Sequence, residues 1–294
     1  MTLVDALLAI AASDRDAAIV AAEAAATDGP PSRLAPALLD FLREVGPSGV
    51  YDEPTAFERF LDGGGNPLLY ERTIAELARV HADEVPTSVL DVGCGDGRVT
   101  AAVVDPSAAV ELVEPSTELL HSATRTLRAR GHRVDPHEMG IDAFLSEHPR
   151  RRWDVVQSTF AMSALDPMTR RDVFGELARR TNRLVIVDFD VPDVVDRSVA
   201  HARYVVDRYE RGLAEYVDAP DVVSGFLLPV LVGQFDPART RHTFEQSTWS
   251  WVAQLEAAGF AVDVRAVADY WWAPAKLFDA RITPPGPGAA TAPS

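Results

Sequence analysis

The sequence predicts an α/β fold, and two observations carry that prediction. The apolar run Ser88-Val89-Leu90-Asp91-Val92 leads directly into the turn Gly93-Cys94-Gly95-Asp96-Gly97, and residues 98–104 then have helical composition. Strand, tight turn and helix in that order form the first half of a βαβ unit, with the helix N-terminus facing whatever the turn holds. About twenty residues on, the apolar run Val110-Glu111-Leu112-Val113 ends in Glu114. An acid at the end of the second strand of such a unit accepts hydrogen bonds from ribose hydroxyls.

The spacing departs from the dinucleotide fingerprint. One residue separates Gly95 from Gly97, and no G-x-x-G step for a pyrophosphate follows. From the residues alone, an NAD-dependent oxidoreductase stays open as an alternative, since it shares the first βαβ unit. The string Asp91-Val92-Gly93-Cys94-Gly95-Asp96-Gly97-Arg98 closely resembles motif I of the class I S-adenosylmethionine (SAM)-dependent methyltransferases. Glu114 stands at that family's ribose-binding acid. The resemblance runs from about Ser88 to Val267 and is strongest at Asp91–Gly97 and Glu114. It implies a Rossmann-like sheet with helices on both faces, an N-terminal helical lid and a helical insertion after the fifth strand. SAM is the implied cofactor and S-adenosylhomocysteine (SAH) its product, with Asp91, Gly93, Gly95, Gly97 and Glu114 at the cofactor.

Composition narrows the partners. The chain has 294 residues, 47% of them hydrophobic, enough for a full core. A formal net charge of −16 disfavours nucleic acid, whose phosphates require Lys and Arg, and disfavours an anionic membrane surface. One cysteine, Cys94, leaves no internal disulfide or cysteine-rich metal site, and inside the turn it suits packing better than reactivity. The seven histidines lack metal-site spacing, and no metal is expected. A start without basic residues and the lack of a membrane-length apolar run give a soluble cytoplasmic expectation.

Residues 3–26 are Ala-rich with helical spacing, interrupted by Ser13-Asp14 as a second cap, and Ser32 caps a further helix over Leu34–Leu42. This layer packs on the core or on the second subunit of a homodimer. Residues 46–54 form a turn-rich loop, Thr55–Leu61 a short helix, and Leu68–Ala82 a longer one. In the resembling family this stretch closes over the site, which makes Tyr51, Phe57, Phe60, Asn66 and Tyr70 candidate pocket residues. For Phe57 and Phe60 ordinary core is an equal alternative.

Ser116–Arg130 predicts a helix ended by Gly131, followed by a weak strand over His132–Met139. The resemblance puts Asp142 at the adenine amine and Ile141 against the ring; Asp142 as a helix N-cap remains open. Trp153–Phe160 is the fourth strand and its exit, where ligands of open α/β sheets lie, so Gln157, Ser158, Thr159 and Phe160 are expected to face the cofactor and the reacting centre. The Asn/Asp-Pro-Pro-Tyr-like string of many amide-nitrogen methyltransferases is absent there. Arg183–Asp190 is the fifth strand, with Asp190 beside the expected methyl-transfer position and Asp188 an alternative structural acid.

After it, Asp196–Val217 reads as a long helix, much of it solvated around Tyr209-Glu210-Arg211, with His201, Tyr204 and Arg208 on one face. Val222–Phe235 is apolar and broken by Gly225 and Pro229. By the resemblance this insertion closes the substrate pocket; an oligomer-forming arm is the alternative. Ser247–Ala258 is a helix and Ala261–Val267 a strand, and Tyr270-Trp271-Trp272 concentrates aromatics, one or two of them suited to stacking on a flat substrate.

The expected divisions are 1–82, helices and lid; 83–195, SAM-binding core; 196–245, insertion; 246–282, the end of the core; and 283–294, a disordered tail. Candidate bases are Tyr51, Asp190, His201 and Glu210, because a proton acceptor has to come from the lid, the strand exit or the insertion. Asn66, Tyr70, Tyr204, Arg208, Trp271 and Trp272, with Tyr51, are the candidate substrate contacts. The expected reaction is methyl transfer to an aromatic or amino-acid-derived secondary metabolite, with indole C- or N-methylation the sharpest form. O-methylation of a carboxylate or hydroxyl, and SAM binding without turnover, are the alternatives.

Overall fold

The computed structural model describes residues 1–44, 54–239, 241 and 243–282. The expectations for Tyr51 and for the tail 283–294 fall outside them. In chain order the helices and strands are α1 (Leu3–Ala11), α2 (Arg15–Asp28), α3 (Leu34–Arg43), α4 (Pro54–Asp62), α5 (Asn66–Glu84), β1 (Ser88–Val92), α6 (Thr100–Val103), β2 (Ala109–Val113), α7 (Thr117–Ala129), β3 (Arg133–His137), α8 (Ile141–Glu147), β4 (Trp153–Thr159), α9 (Pro167–Ala178), β5 (Thr181–Phe189), α10 (Val199–Glu215), α11 (Pro220–Val222), α12 (Leu228–Phe235), α13 (Thr248–Ala257), β6 (Phe260–Ala268) and β7 (Ala275–Ile282). Local chemistry sets many starts. Thr2, Asp14, Ser116, Asp166, Ser198 and Ser247 each accept a first-turn amide of the helix they precede, which satisfies donors the helix cannot.

The chain divides into two compact units. Among the described residues, one comprises 72–190, 245–267 and 275–282. It holds a seven-stranded sheet in the order β3-β2-β1-β4-β5-β7-β6. Strands β1 to β5 pair parallel, and β7 runs antiparallel to β5 with Asp188 opposite Lys276. Alternation along β1 divides the core: Val89 packs with Leu120, Ala123 and Leu127 of α7, while Leu90 packs with Phe144, Phe174 and Trp251 of α8, α9 and α13. The sheet therefore carries helices on both faces. At its β5–β7 seam Arg183 is buried, and Asp279 accepts from it at 2.6 and 2.9 Å.

Among the described residues, the second unit comprises 1–44, 54–71, 191–239, 241, 243–244 and 268–274. Its helices bury Leu7, Leu34, Leu38 and Phe235. Two sequence expectations are corrected here. The α10 segment around Tyr209 is not solvated: Tyr209 is 2% exposed, edge-on to Trp271 and Trp272. Gly225 and Pro229 do not break their segment either. A π-helical turn over Val223–Leu227 joins α11 to α12, and its wider hydrogen-bond spacing lets the helix pass a proline that has no N–H to give. After the glycine turn the helix is shorter than expected, Thr100–Val103.

Candidate cofactor and active site

The three glycines of the turn all have positive φ, +67° at Gly93, +54° at Gly95 and +76° at Gly97, a region that costs other residues about 1–2 kcal/mol. Their surroundings separate their roles. A Cβ on Gly93 would lie 2.3 Å from that of Ala161, and one on Gly97 would strike Ala123 and Leu127 of α7 at 2.7–2.9 Å. Around Gly95 there is open space. Gly93 and Gly97 thus let the turn seat against the protein, and Gly95 is the glycine whose backbone is accessible to a ligand. Expected as a cofactor contact, Gly97 takes a packing role.

Glu114, at the end of β2, is buried, and its carboxylate accepts the Gly95 amide at 3.1 Å and the Ser116 amide at 3.0 Å. Burial raises its pKa, opposed by those two amides. Each oxygen keeps lone-pair capacity for a hydroxyl donor. Asp91 is 3% exposed and accepts from Thr100 Oγ1; burial raises its pKa to about 6. Its carboxylate is committed beneath the turn, so the cofactor contact expected of it is replaced by support of the turn.

Ile141 is also not free: at 4% exposure it belongs to the core with Phe144 and Val113. Asp142 is exposed in the first turn of α8. The N-cap position belongs to Gly140, which removes the capping alternative for Asp142. Thr159 Oγ1 is buried with no hydrogen-bond partner. Phe160 follows at φ +54°, donates its amide to Val187 O at 2.8 Å and stacks on Phe189 at 4.8 Å. At the exit of β5, Asp188 is fully enclosed and accepts from the Ser163 and Phe189 amides. Asp190 is half-buried and its Oδ1 accepts the Thr248 amide at 2.7 Å.

In the helical unit, the Glu210 carboxylate accepts from Ser32 Oγ and from the Arg33 and Leu34 amides at 2.9 and 3.3 Å. It caps the N-terminus of α3, where negative charge is favoured, and this corrects its assignment as a base. His201 is buried, its ring stacked on Phe235 and its Nδ1 accepting the Arg197 amide; burial lowers its pKa. Asn66 is 3% exposed; its Nδ2 donates to Phe60 O and Tyr216 Oη, and its Oδ1 accepts from Tyr270 Oη. That leaves it no group for a substrate. Trp271 and Trp272 are 9% and 7% exposed, packed with Tyr209 and Tyr270, so their stacking role is also corrected. Tyr70 and Tyr204 are half-buried. Tyr204 Oη donates to Trp272 O, and Arg208 lies over the Tyr204 ring at 5.2 Å.

Sequence reasoning missed one side-chain cluster. Glu111, Asp135 and His137 bring ligand-type atoms within 4.8 Å of one another, but Arg151 bonds both carboxylates, so the cluster is an ion-pair network. The register pairing Glu111 with Asp135 is not readable from spacing along the chain.

The residues fit SAM on three observations: lone-pair capacity on Glu114, open space over Gly95 and the unpaired Thr159 hydroxyl. Residues 89–183 match the family model described as a methyltransferase domain. No curated protein matches the sequence. An O-methyltransferase family protein from Burkholderia thailandensis is similar in structure, with 19% identity and TM-score 0.57 over 92% of this chain and 73% of that one. The plantazolicin methyltransferase BpumL in complex with SAH is 11% identical with TM-score 0.54, over 84% and 94%. Magnesium protoporphyrin IX methyltransferase from Synechocystis PCC 6803 with bound SAH is 14% identical with TM-score 0.52, over 79% and 97%.

Proposed function

We propose that the chain, whose residues 89–183 match a methyltransferase domain, acts as a class I SAM-dependent methyltransferase, and that its acceptor is a small aromatic or amino-acid-derived metabolite, with an indole carbon or nitrogen the sharpest case. The net charge of −16 supports an uncharged or cationic acceptor over a polyanion. When bound, SAM would supply an electrophilic methyl group whose carbon–sulfur electron pair would remain on sulfur, and the acceptor would contribute the new bond's electrons, a lone pair on nitrogen or oxygen or the ring π pair of an indole carbon. The chain's part is to hold the acceptor in line, exclude water and receive a proton. Asp190 is the base of this proposal. It sits at the exit of β5, and its Oδ2 has no hydrogen bond among the described residues, whereas Glu210 and His201 serve structure. Secondary metabolism is the proposed context. A single cysteine, with no disulfide to form, supports a cytoplasmic setting.

The observation that carries the cofactor part is the Gly95 amide held by Glu114. Calorimetric titration with SAM, SAH and NAD tests it. SAM and SAH binding that Glu114→Ala weakens by about tenfold or more is expected; NAD binding in place of SAM would overturn it. Turnover is then read with methyl-labelled SAM over indoles, aryl amines and phenols, and Asp190→Asn should lower kcat with little change in SAH affinity.

A further inference from the structure

His81, near the C-terminal end of α5, is 6% exposed. Its Nε2 lies 2.8 Å from Gln157 Oε1 in the centre of β4. Gln157 Nε2 donates to Thr100 Oγ1 at 2.8 Å, and Thr100 Oγ1 donates to Asp91. The direction of the chain follows from its members. A carboxylate only accepts, so the threonine hydroxyl gives it its proton and accepts from the amide nitrogen. The amide oxygen is then left to accept, and His81 is the Nε2–H tautomer. Asp91 and Thr100 bracket the turn that carries Gly93, Gly95 and Gly97. The Asp91–Thr100 bond closes the base of that turn, and Gln157, the cross-strand partner of Asp91, fixes the hydroxyl from the side.

We propose that His81 is a positioning residue for the cofactor: through Gln157 and Thr100 it orients the Asp91 carboxylate and so holds the glycine turn in its SAM-binding shape. The pattern of unsatisfied atoms agrees. His81 Nδ1 is buried with no partner, a cost that a merely space-filling apolar residue would avoid. A histidine kept there despite it is there for the Nε2–H. The hydrogen bonds through Gln157 and Thr100 are the route by which the ring acts on the turn.

The experiment is SAH titration of the full chain with two substitutions at the same site. His81→Leu removes the donor, and His81→Gln offers an amide N–H at the reach of Nε2. About a tenfold loss of SAH affinity in His81→Leu is expected, with His81→Gln within about twofold of the unmodified protein. Equal affinity in all three, or equal loss in both variants, would overturn the proposal, because packing alone would then explain the site. A variant-free measurement guards against a misfolded His81→Leu. Nitrogen-15 spectra of labelled histidine should show His81 as the Nε2–H tautomer, with a resonance that moves on SAH addition. The Nδ1–H tautomer, or a signal indifferent to SAH, would overturn it. The proposal rests on SAM binding, and Glu114→Ala separates the two: failure of the unmodified protein to bind SAH overturns both.

Discussion

Ala161 Cβ occupies the space into which a side chain on Gly93 would grow, 2.3 Å from where that Cβ would stand. Ala161 belongs to the exit of β4, so the turn after β1 is shaped against the exit of the neighbouring strand. Gly93→Ala therefore meets both an overlap and an unfavourable φ, at a cost of at least about 2 kcal/mol. Gly95→Ala meets only the φ, about 1 kcal/mol, but puts its methyl into the open space over the turn. Gly93→Ala should lower the melting temperature strongly. Gly95→Ala should melt close to the unmodified protein and lose SAH affinity by about tenfold or more. Thermal unfolding and calorimetry on the pair check this, and the reverse ordering would contradict the division of roles.

Asp188 sets a pH dependence whose sign can be worked out. Burial raises its pKa from 3.8 to about 7, with the Phe189 amide opposing and Glu245 adding to the rise. The folded state thus holds a proton that the unfolded state has released. Stability from this group is full below about pH 4 and is lost as pH rises to about 7. Asp188→Asn should flatten that fall relative to the unmodified protein, by a few kcal/mol at most, on the order of 1.4 per pKa unit. Melting temperature against pH for both proteins gives the difference curve. His81 has the opposite sign: burial lowers its pKa, so its contribution is lost as pH falls below the ordinary histidine range.

The Glu210 carboxylate, bound to Ser32 and to two amides at the start of α3, predicts a stability defect without a catalytic one. Glu210→Ala should cost about 1–2 kcal/mol, the worth of a helix cap with charge. SAH affinity, and kcat on whichever acceptor proves active, should stay unchanged. A large fall in kcat with the melting temperature intact would return Glu210 to the set of bases.

The cofactor half of the site was legible because its signals are local. Three glycines, one carboxylate twenty-odd residues on and the strands between them lie within a single βαβ unit, and sequence spacing measures them directly. The roles of Asn66, Glu210 and Trp271 were not legible. Asn66 is satisfied by Tyr216 and Tyr270, 150 and 204 positions away, and Glu210 by residues 176–178 positions away. Helical spacing gives the face of a residue but not what meets that face. Strand β7 escaped for a related reason. Its Asp279 and Arg281 interrupt an apolar pattern, and only pairing with β5 brings Arg183 to Asp279.

Cys94, the chain's sole thiol, makes the glycine turn observable by chemistry. Burial, with Asp91 and Glu114 near it, pushes the thiol up, away from thiolate. Electrophiles such as maleimides therefore react slowly while the turn is closed, where the half-buried thiol stays protonated, and faster when the turn opens. The sulfur is a built-in clock for that opening. With SAH bound the clock should slow in proportion to occupancy, and mass spectrometry of the labelled protein would read ligand binding with no engineered probe.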